Sequence, residues 1–165
     1  MEKMIVNNKE YLIVRLLGKG KGGYSYLGIF EGTYVVVKKI HHEPCSYYQF
    51  GNKIEAESND YKRLLETGIR IPKLIEIDYQ NEIVVKEYIE GPTIEELKKE
   101  NKIKKTYIDQ VKEMERLCML KNLNIDYYPT NFIVNENDQI FYIDYECNIY
   151  DPKWNYDNWA KQYWE

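Results

Sequence analysis

The sequence predicts an α+β fold in two parts: a five-stranded antiparallel sheet with one helix, then a mainly helical part that carries a two-stranded hairpin. Three observations predict it. Three β-rich runs follow one another near the start, separated by glycine-containing turns, which is the pattern of an antiparallel meander. A stretch of helical periodicity precedes two further β-rich runs, and helical segments come after them. Finally, Phe132-Ile133-Val134 and Ile140-Phe141-Tyr142-Ile143 flank the polar turn Asn135-Glu136-Asn137-Asp138.

The elements follow in order. Tyr11 to Leu17 is a strand that ends at a glycine cluster, Tyr24 to Phe30 is a second, and Tyr34 to Ile40 is a third after the turn Glu31-Gly32-Thr33. A helix is expected from about Asn52 to Glu66, with Gly68 as its C-terminal stop. Lys73 to Ile77 and Ile83 to Tyr88 complete the five strands, and Gly91-Pro92 breaks the chain. Thr93-Ile94-Glu95-Glu96 has the form of a capping box and starts a short helix. A longer helix should cover Lys105 to Leu120, and Trp154 to Trp164 reads as an aromatic-rich helix. By length the chain is one domain, divided as 1–88 and 89–165.

Composition sets the outer bounds. At 44% apolar and 30% charged, the 165-residue chain can build a core. A net charge of -4 gives no prior for a nucleic-acid partner. Residues 98–121 hold eight Lys/Arg against four Asp/Glu, which reads first as the solvated face of a helix. Cys45, Cys118 and Cys147 are scattered without metal-ligand spacing, so reduced thiols in a cytoplasmic protein are expected. No segment has the apolar length of a membrane span, and Met1-Glu2-Lys3-Met4 is too polar to begin a signal peptide.

Gly18-Lys19-Gly20-Lys21-Gly22-Gly23 fits G-x-G-x-x-G at Gly18, Gly20 and Gly23. A Walker loop needs a Ser or Thr after its lysine and a helix next; a dinucleotide loop also leads into a helix. Here a strand follows, so the loop joins two strands. Without a Cβ, its backbone N–H groups can approach phosphates closely. In Val35-Val36-Val37-Lys38, strand alternation puts Val36 and Lys38 on one face. On the following helix Glu57 falls among Ile54, Tyr61, Leu64 and Leu65, and Glu55 falls toward the edge of that face. A charge on an apolar face is costly unless paired, so Glu57 is preferred over Glu55 as the partner of Lys38. Farther on, Asp126 and Asn131 precede the first hairpin strand and Asp144 ends the second. The hairpin should bring Asn131 and Asp144 together, offering a carbonyl oxygen and a carboxylate to a hard cation, with Asp126 left to meet a nucleophile.

These motifs resemble the protein-kinase-like superfamily. Asp126 and Asn131 keep the interval of the kinase catalytic loop, Asp144 stands at the distance of the metal-binding aspartate, and Val35-Val36-Val37-Lys38 is similar to Val-Ala-Ile-Lys. The match departs at Asn124, where kinases usually have His or Tyr, and at Asp144-Tyr145-Glu146 in place of Asp-Phe-Gly. The latter is closer to choline and aminoglycoside phosphotransferases. Ile89-Glu90-Gly91-Pro92-Thr93-Ile94 is similar to the hinge region of the compact kinase of the KEOPS complex. The chain after Asp144 is too short for a full activation segment and the helices beyond it, so the resemblance implies a two-lobed fold with a reduced second lobe.

The resemblance also implies roles. ATP and Mg2+ are the expected cofactors. Gly18, Gly20 and Gly23 cover the phosphates, Val36 touches the adenine, and Glu87 and Ile89 bind it through backbone groups. Lys38, held by Glu57, grips the phosphates; Asn131 and Asp144 hold the metal; Asp126 receives the hydroxyl proton. The expected activity is transfer of the γ-phosphate to a hydroxyl, as in a minimal Ser/Thr protein kinase. The alternatives are a small-molecule kinase and a nucleotide-binding module with negligible transfer. Lys86 stands where kinases usually have an apolar residue. Trp154, Trp159 and Trp164, with Tyr156 and Tyr163, either cap the core of the small second lobe or form an aromatic face for a dimer or protein partner.

Overall fold

The computed structural model describes residues 2–20, 22–44 and 52–165. The fold is α+β, and the chain forms two compact units: Met1–Ser58 with Lys73–Tyr88, and Asn59–Pro72 with Ile89–Glu165.

The first unit is built on an antiparallel sheet of strands β1 (Glu2–Val6), β2 (Lys9–Lys19), β3 (Gly23–Phe30), β4 (Thr33–Ile40), β5 (Leu74–Asp78) and β6 (Ile83–Glu87), in the order β1-β2-β3-β4-β6-β5. Sequence reasoning expected five strands; the sixth is β1. It pairs with β2 through a two-residue turn at Asn7 and Asn8, whose φ values are 46° and 68°. Asparagine tolerates that left-handed backbone, and two such residues match the twist of a tight hairpin. The turn is anchored by Asp78, which accepts from the Asn7 N–H at 2.9 Å and the Asn81 N–H at 3.0 Å. These backbone donors hold its carboxyl below the ordinary aspartate range. Val6, Tyr11, Ile13, Val35, Val37, Ile83 and Val85 form the core on one face of the sheet.

Helix α1 (Lys53–Thr67) begins in the first unit and ends in the second. Gly68, at φ 80°, terminates it, as its position in the sequence suggested. Leu65, expected on the buried face, is exposed, while Lys53 and Ser58 are buried. Lys53 stays satisfied because its ammonium donates to the His41 carbonyl at 2.6 Å.

The second unit contains α2 (Ile94–Lys99), α3 (Lys105–Met119), β7 (Leu123–Ile125), β8 (Phe132–Val134), β9 (Ile140–Tyr142) and β10 (Cys147–Ile149). Thr93 caps α2, accepting from the Glu96 N–H at 3.1 Å. The expected hairpin is β8 paired with β9, Phe132 opposite Tyr142 and Val134 opposite Ile140. A second ladder, not anticipated, pairs β7 with β10, Ile125 opposite Cys147. The aromatic C-terminal segment is not one continuous helix: a 3-10 turn at Pro152–Trp154 leads to a π-helical turn at Tyr156–Ala160 and then to α4 (Lys161–Trp164). Its aromatics divide. Tyr156 and Trp164 are fully buried in the core with Phe132, Tyr142 and Val111, while Trp154 and Tyr163 are exposed. Among the described residues no helix is long and apolar enough to cross a membrane.

Gly91 shows how tightly this unit closes. Its φ is 151°, and a Cβ there would lie 1.9 Å from the Val134 carbonyl oxygen. Val134 N–H also bonds the Pro92 carbonyl at 3.0 Å, so the 91–93 segment lies against β8. Gly91→Ala is expected to destabilise the protein by about 3 kcal/mol, from backbone strain and the displaced strand. An unchanged urea midpoint would refute that.

Candidate active site

In the first unit β4 alternates as its pattern requires. Val35 and Val37 enter the core, and Val36 and Lys38 occupy the opposite face. Cross-strand pairing adds Leu27 and Lys86 beside Val36, and Ser25 and Val84 beside Lys38. The Lys38 ammonium donates to Glu57 Oε1, and each side chain is only 12% exposed. The pairing selects Glu57; Glu55 is exposed, its N–H bonded to Asn52 Oδ1 at 3.1 Å at the start of α1. Among the described residues Glu57 Oε2 is buried without a hydrogen-bond partner. Lys86 is 6% exposed, so this face carries a second lysine largely withdrawn from water.

The glycine turn joins β2 to β3. Gly20 N–H donates to the Gly23 carbonyl at 2.9 Å, and the His41 N–H to the Gly22 carbonyl at 3.1 Å, which fastens the turn to the end of β4. The three glycines differ. A Cβ at Gly23 would lie 2.6 Å from the Lys39 carbonyl oxygen and 3.2 Å from Lys38 Cε, so packing alone demands glycine there. A Cβ at Gly18 would meet nothing within 4 Å, and at Gly20 only the Gly23 carbonyl at 3.9 Å. Open space at Gly18 and Gly20 is what backbone needs to meet a ligand closely. Glu87 ends β6 with its N–H committed to the Lys73 carbonyl at 2.9 Å. Ile89 belongs to the second unit and is buried.

In the second unit β7 delivers Asp126 directly. Asp126 Oδ1 accepts from the Tyr128 N–H at 3.1 Å, and Asn131 Nδ2 donates to the Asp126 carbonyl at 3.2 Å. The β8–β9 ladder continues one step, with the Ile143 N–H bonded to the Asn131 carbonyl at 2.9 Å, which seats Asp144 beside Asn131. Asp126, Asn131 and Asp144 are all half-buried. The second unit thus brings together the three polar groups predicted for it, as the first brings together Lys38, Glu57 and Val36. Asn124 is buried and ties its amide to the Asp151 carbonyl at 2.9 Å.

Two residues frame this loop: Tyr142, read from the sequence only as a strand residue, and Trp164, read there as a core cap or part of an aromatic face. The Tyr142 hydroxyl accepts from the Asp126 N–H at 3.2 Å and donates to the Glu146 carbonyl at 2.7 Å. Burial, then the charge of Asp144, pushes this phenol well above its ordinary pKa and keeps it a donor. Trp164 Nε1 donates to the Tyr127 carbonyl at 2.7 Å. Tyr142 was visible only as an alternating strand residue, and nothing local signals the reach of Trp164. Cys118 and Cys147 are buried, which raises each to about 12 and holds them as thiols. Cys45 and Lys21 lie outside the described residues.

The donor set suits a hard divalent cation: an amide oxygen at Asn131 and a carboxylate at Asp144, which matches magnesium's preference for a few protein oxygens with water and phosphate completing its shell. Among the described residues no three His, Cys, Asp or Glu side chains converge on a metal position.

Comparison with curated proteins gives no match. The family model described as the RIO domain matches residues 36–151. That span begins at Val36 and takes in Lys38, Glu57, Asp126, Asn131 and Asp144, leaving the glycine turn outside it. The chain belongs to the RIO-domain family, a branch of the atypical protein-kinase-like superfamily whose members are ATP-binding phosphotransferases.

Proposed function

We propose that this protein is a Mg·ATP-dependent phosphotransferase acting as a minimal Ser/Thr protein kinase. The observation that carries the reading is the pair of hydrogen bonds, Asn131 Nδ2 to the Asp126 carbonyl and Ile143 N–H to the Asn131 carbonyl, that gathers the Asp126, Asn131 and Asp144 segments in one small unit. The acceptor hydroxyl oxygen bonds the γ-phosphorus as the bridging oxygen–phosphorus bond to ADP breaks. ADP leaves with the electron pair, and the hydroxyl proton passes to the Asp126 carboxylate. Asn131 Oδ1 and the Asp144 carboxylate would hold the cation, which would neutralise charge on the phosphates. Lys38, fixed by Glu57, contacts the α- and β-phosphates, and the Gly18–Gly23 backbone covers them. Val36 would pack on the adenine, and backbone groups at Glu87 and Ile89 would bind it.

The test is phosphotransfer from labelled ATP, with autophosphorylation as the first readout. Lys38→Ala is expected to lower the rate by about 10²-fold, the scale of removing one preorganised charge from a transition state. A Lys38→Ala rate equal to wild type would remove the lysine from the mechanism. Asp144-Tyr145-Glu146 favours a second reading, a small-molecule kinase; transfer to small alcohols in preference to peptides would select it. Tight ATP binding with turnover no faster than that of Asp126→Asn would instead mark a binding module.

A further inference from the structure

We propose that Tyr142 is a positioning residue that sets the separation between the Asp126 and Asp144 segments. The inference rests on the phosphotransfer reading above. The β7–β10 ladder runs outward to the pair Ile125 and Cys147. The next two residues, Asp126 and Glu146, begin the segments that bear the reacting groups. There the direct ladder ends and the Tyr142 hydroxyl takes its place, with the Asp126 N–H on one side at 3.2 Å and the Glu146 carbonyl on the other at 2.7 Å. A phenol can do both at once, because it carries one donor and two acceptor lone pairs. The ring that holds the hydroxyl is itself fixed: Tyr142 is 0% exposed and packs on Phe132 with ring centroids 5.3 Å apart. Tyr142 also lies opposite Phe132 in the β8–β9 ladder, next to the bond that joins Ile143 to Asn131. One side chain therefore sits where the proton acceptor and the proposed metal ligands are registered against one another.

Removing only the hydroxyl leaves the ring packing in place and frees both backbone groups. The segments can then shift relative to one another, and a misplacement near 1 Å costs about 10²-fold in rate. A residue that merely stabilised the core would act through the folded fraction alone.

The experiment compares kcat, KM for ATP and thermal midpoint in the full chain for wild type, Tyr142→Phe, Asp126→Asn and Val111→Ala. Val111 is fully buried in the same core and has no role assigned in the proposed site. Tyr142→Phe is expected to lower kcat by about 10²-fold with KM unchanged. Val111→Ala, at an equal or larger loss of thermal midpoint, should keep the wild-type kcat. The proposal is overturned if Tyr142→Phe keeps the wild-type kcat while Asp126→Asn loses it, or if Val111→Ala loses as much. Should wild type transfer phosphate no faster than Asp126→Asn, the phosphotransfer reading falls. The brace is then judged by hydrogen exchange of the Asp126 amide: exchange accelerated by Tyr142→Phe upholds it, and an unchanged rate ends it.

Discussion

Asp144→Ala is expected to leave a folded protein that transfers phosphate on the order of 10³-fold more slowly than wild type. The rate loss follows from the chemistry assigned to that position. A metal at the phosphates supplies several kcal/mol of charge stabilisation in the transition state, and each 1.36 kcal/mol is about tenfold. Asn131 alone, a neutral ligand, does not replace a carboxylate on a hard cation. The retained fold follows from where the local restraints lie. The Ile143 N–H is held by the Asn131 carbonyl at 2.9 Å, and the Tyr145 hydroxyl donates to the Pro72 carbonyl. Beyond it, β10 pairs with β7. None of these needs the Asp144 side chain, which is only half-buried. Initial rates with labelled ATP and a thermal melt on the same preparation check both halves. Wild-type activity in Asp144→Ala would remove this residue from the mechanism. Asp126→Asn is the companion variant, with a loss of about 10²–10⁴-fold expected for a proton acceptor.

The parts of this site that were legible in the sequence are those where one local rule decides. Strand alternation places Val36 and Lys38 away from the core whatever else the chain does, and the cost of an unpaired charge on a helix face selects Glu57. The polar turn between two apolar runs is enough to call a hairpin, and the hairpin suffices to join Asn131 to Asp144. What was not legible depends on partners distant in sequence. Leu123-Asn124-Ile125 is buried at all three positions and shows no period, so β7 is recognisable only beside β10. β1 is short and largely exposed, and its turn of two asparagines is a weaker hairpin signal than Asn-Gly. Leu65 continues a helical stripe yet is exposed, while its neighbour Leu64 is fully buried. Gly23 is instructive in the other direction. It fits a phosphate-loop pattern, but the Lys39 carbonyl alone forbids a side chain there. Pattern and packing require the same residue for different reasons.

Trp164→Ala is expected to cost about 3–5 kcal/mol of stability, the range for deleting a buried aromatic ring. Trp164 is fully buried, and its edge-on contacts to Phe132 and Tyr156 have ring centroids 5.0 and 5.8 Å apart. Its indole N–H also donates to the Tyr127 carbonyl at 2.7 Å in a buried setting. Two substitutions separate these contributions. Trp164→Phe keeps most of the ring volume and leaves the carbonyl unpaired, a loss of about 1–3 kcal/mol. Trp164→Ala adds the cavity. For a chain of this size each kcal/mol moves the thermal midpoint by about 2–4 °C, so the two variants should be resolved from wild type and from each other. Equal midpoints for the two would mean the hydrogen bond carries the whole effect and the neighbouring rings collapse into the space. A wild-type midpoint in Trp164→Ala would overturn the assignment of Trp164 to the core. The bonded carbonyl is that of the residue after Asp126, so Trp164→Phe is also expected to loosen the loop. Faster exchange of the Tyr128 amide, which Asp126 Oδ1 holds at 3.1 Å, reads that directly.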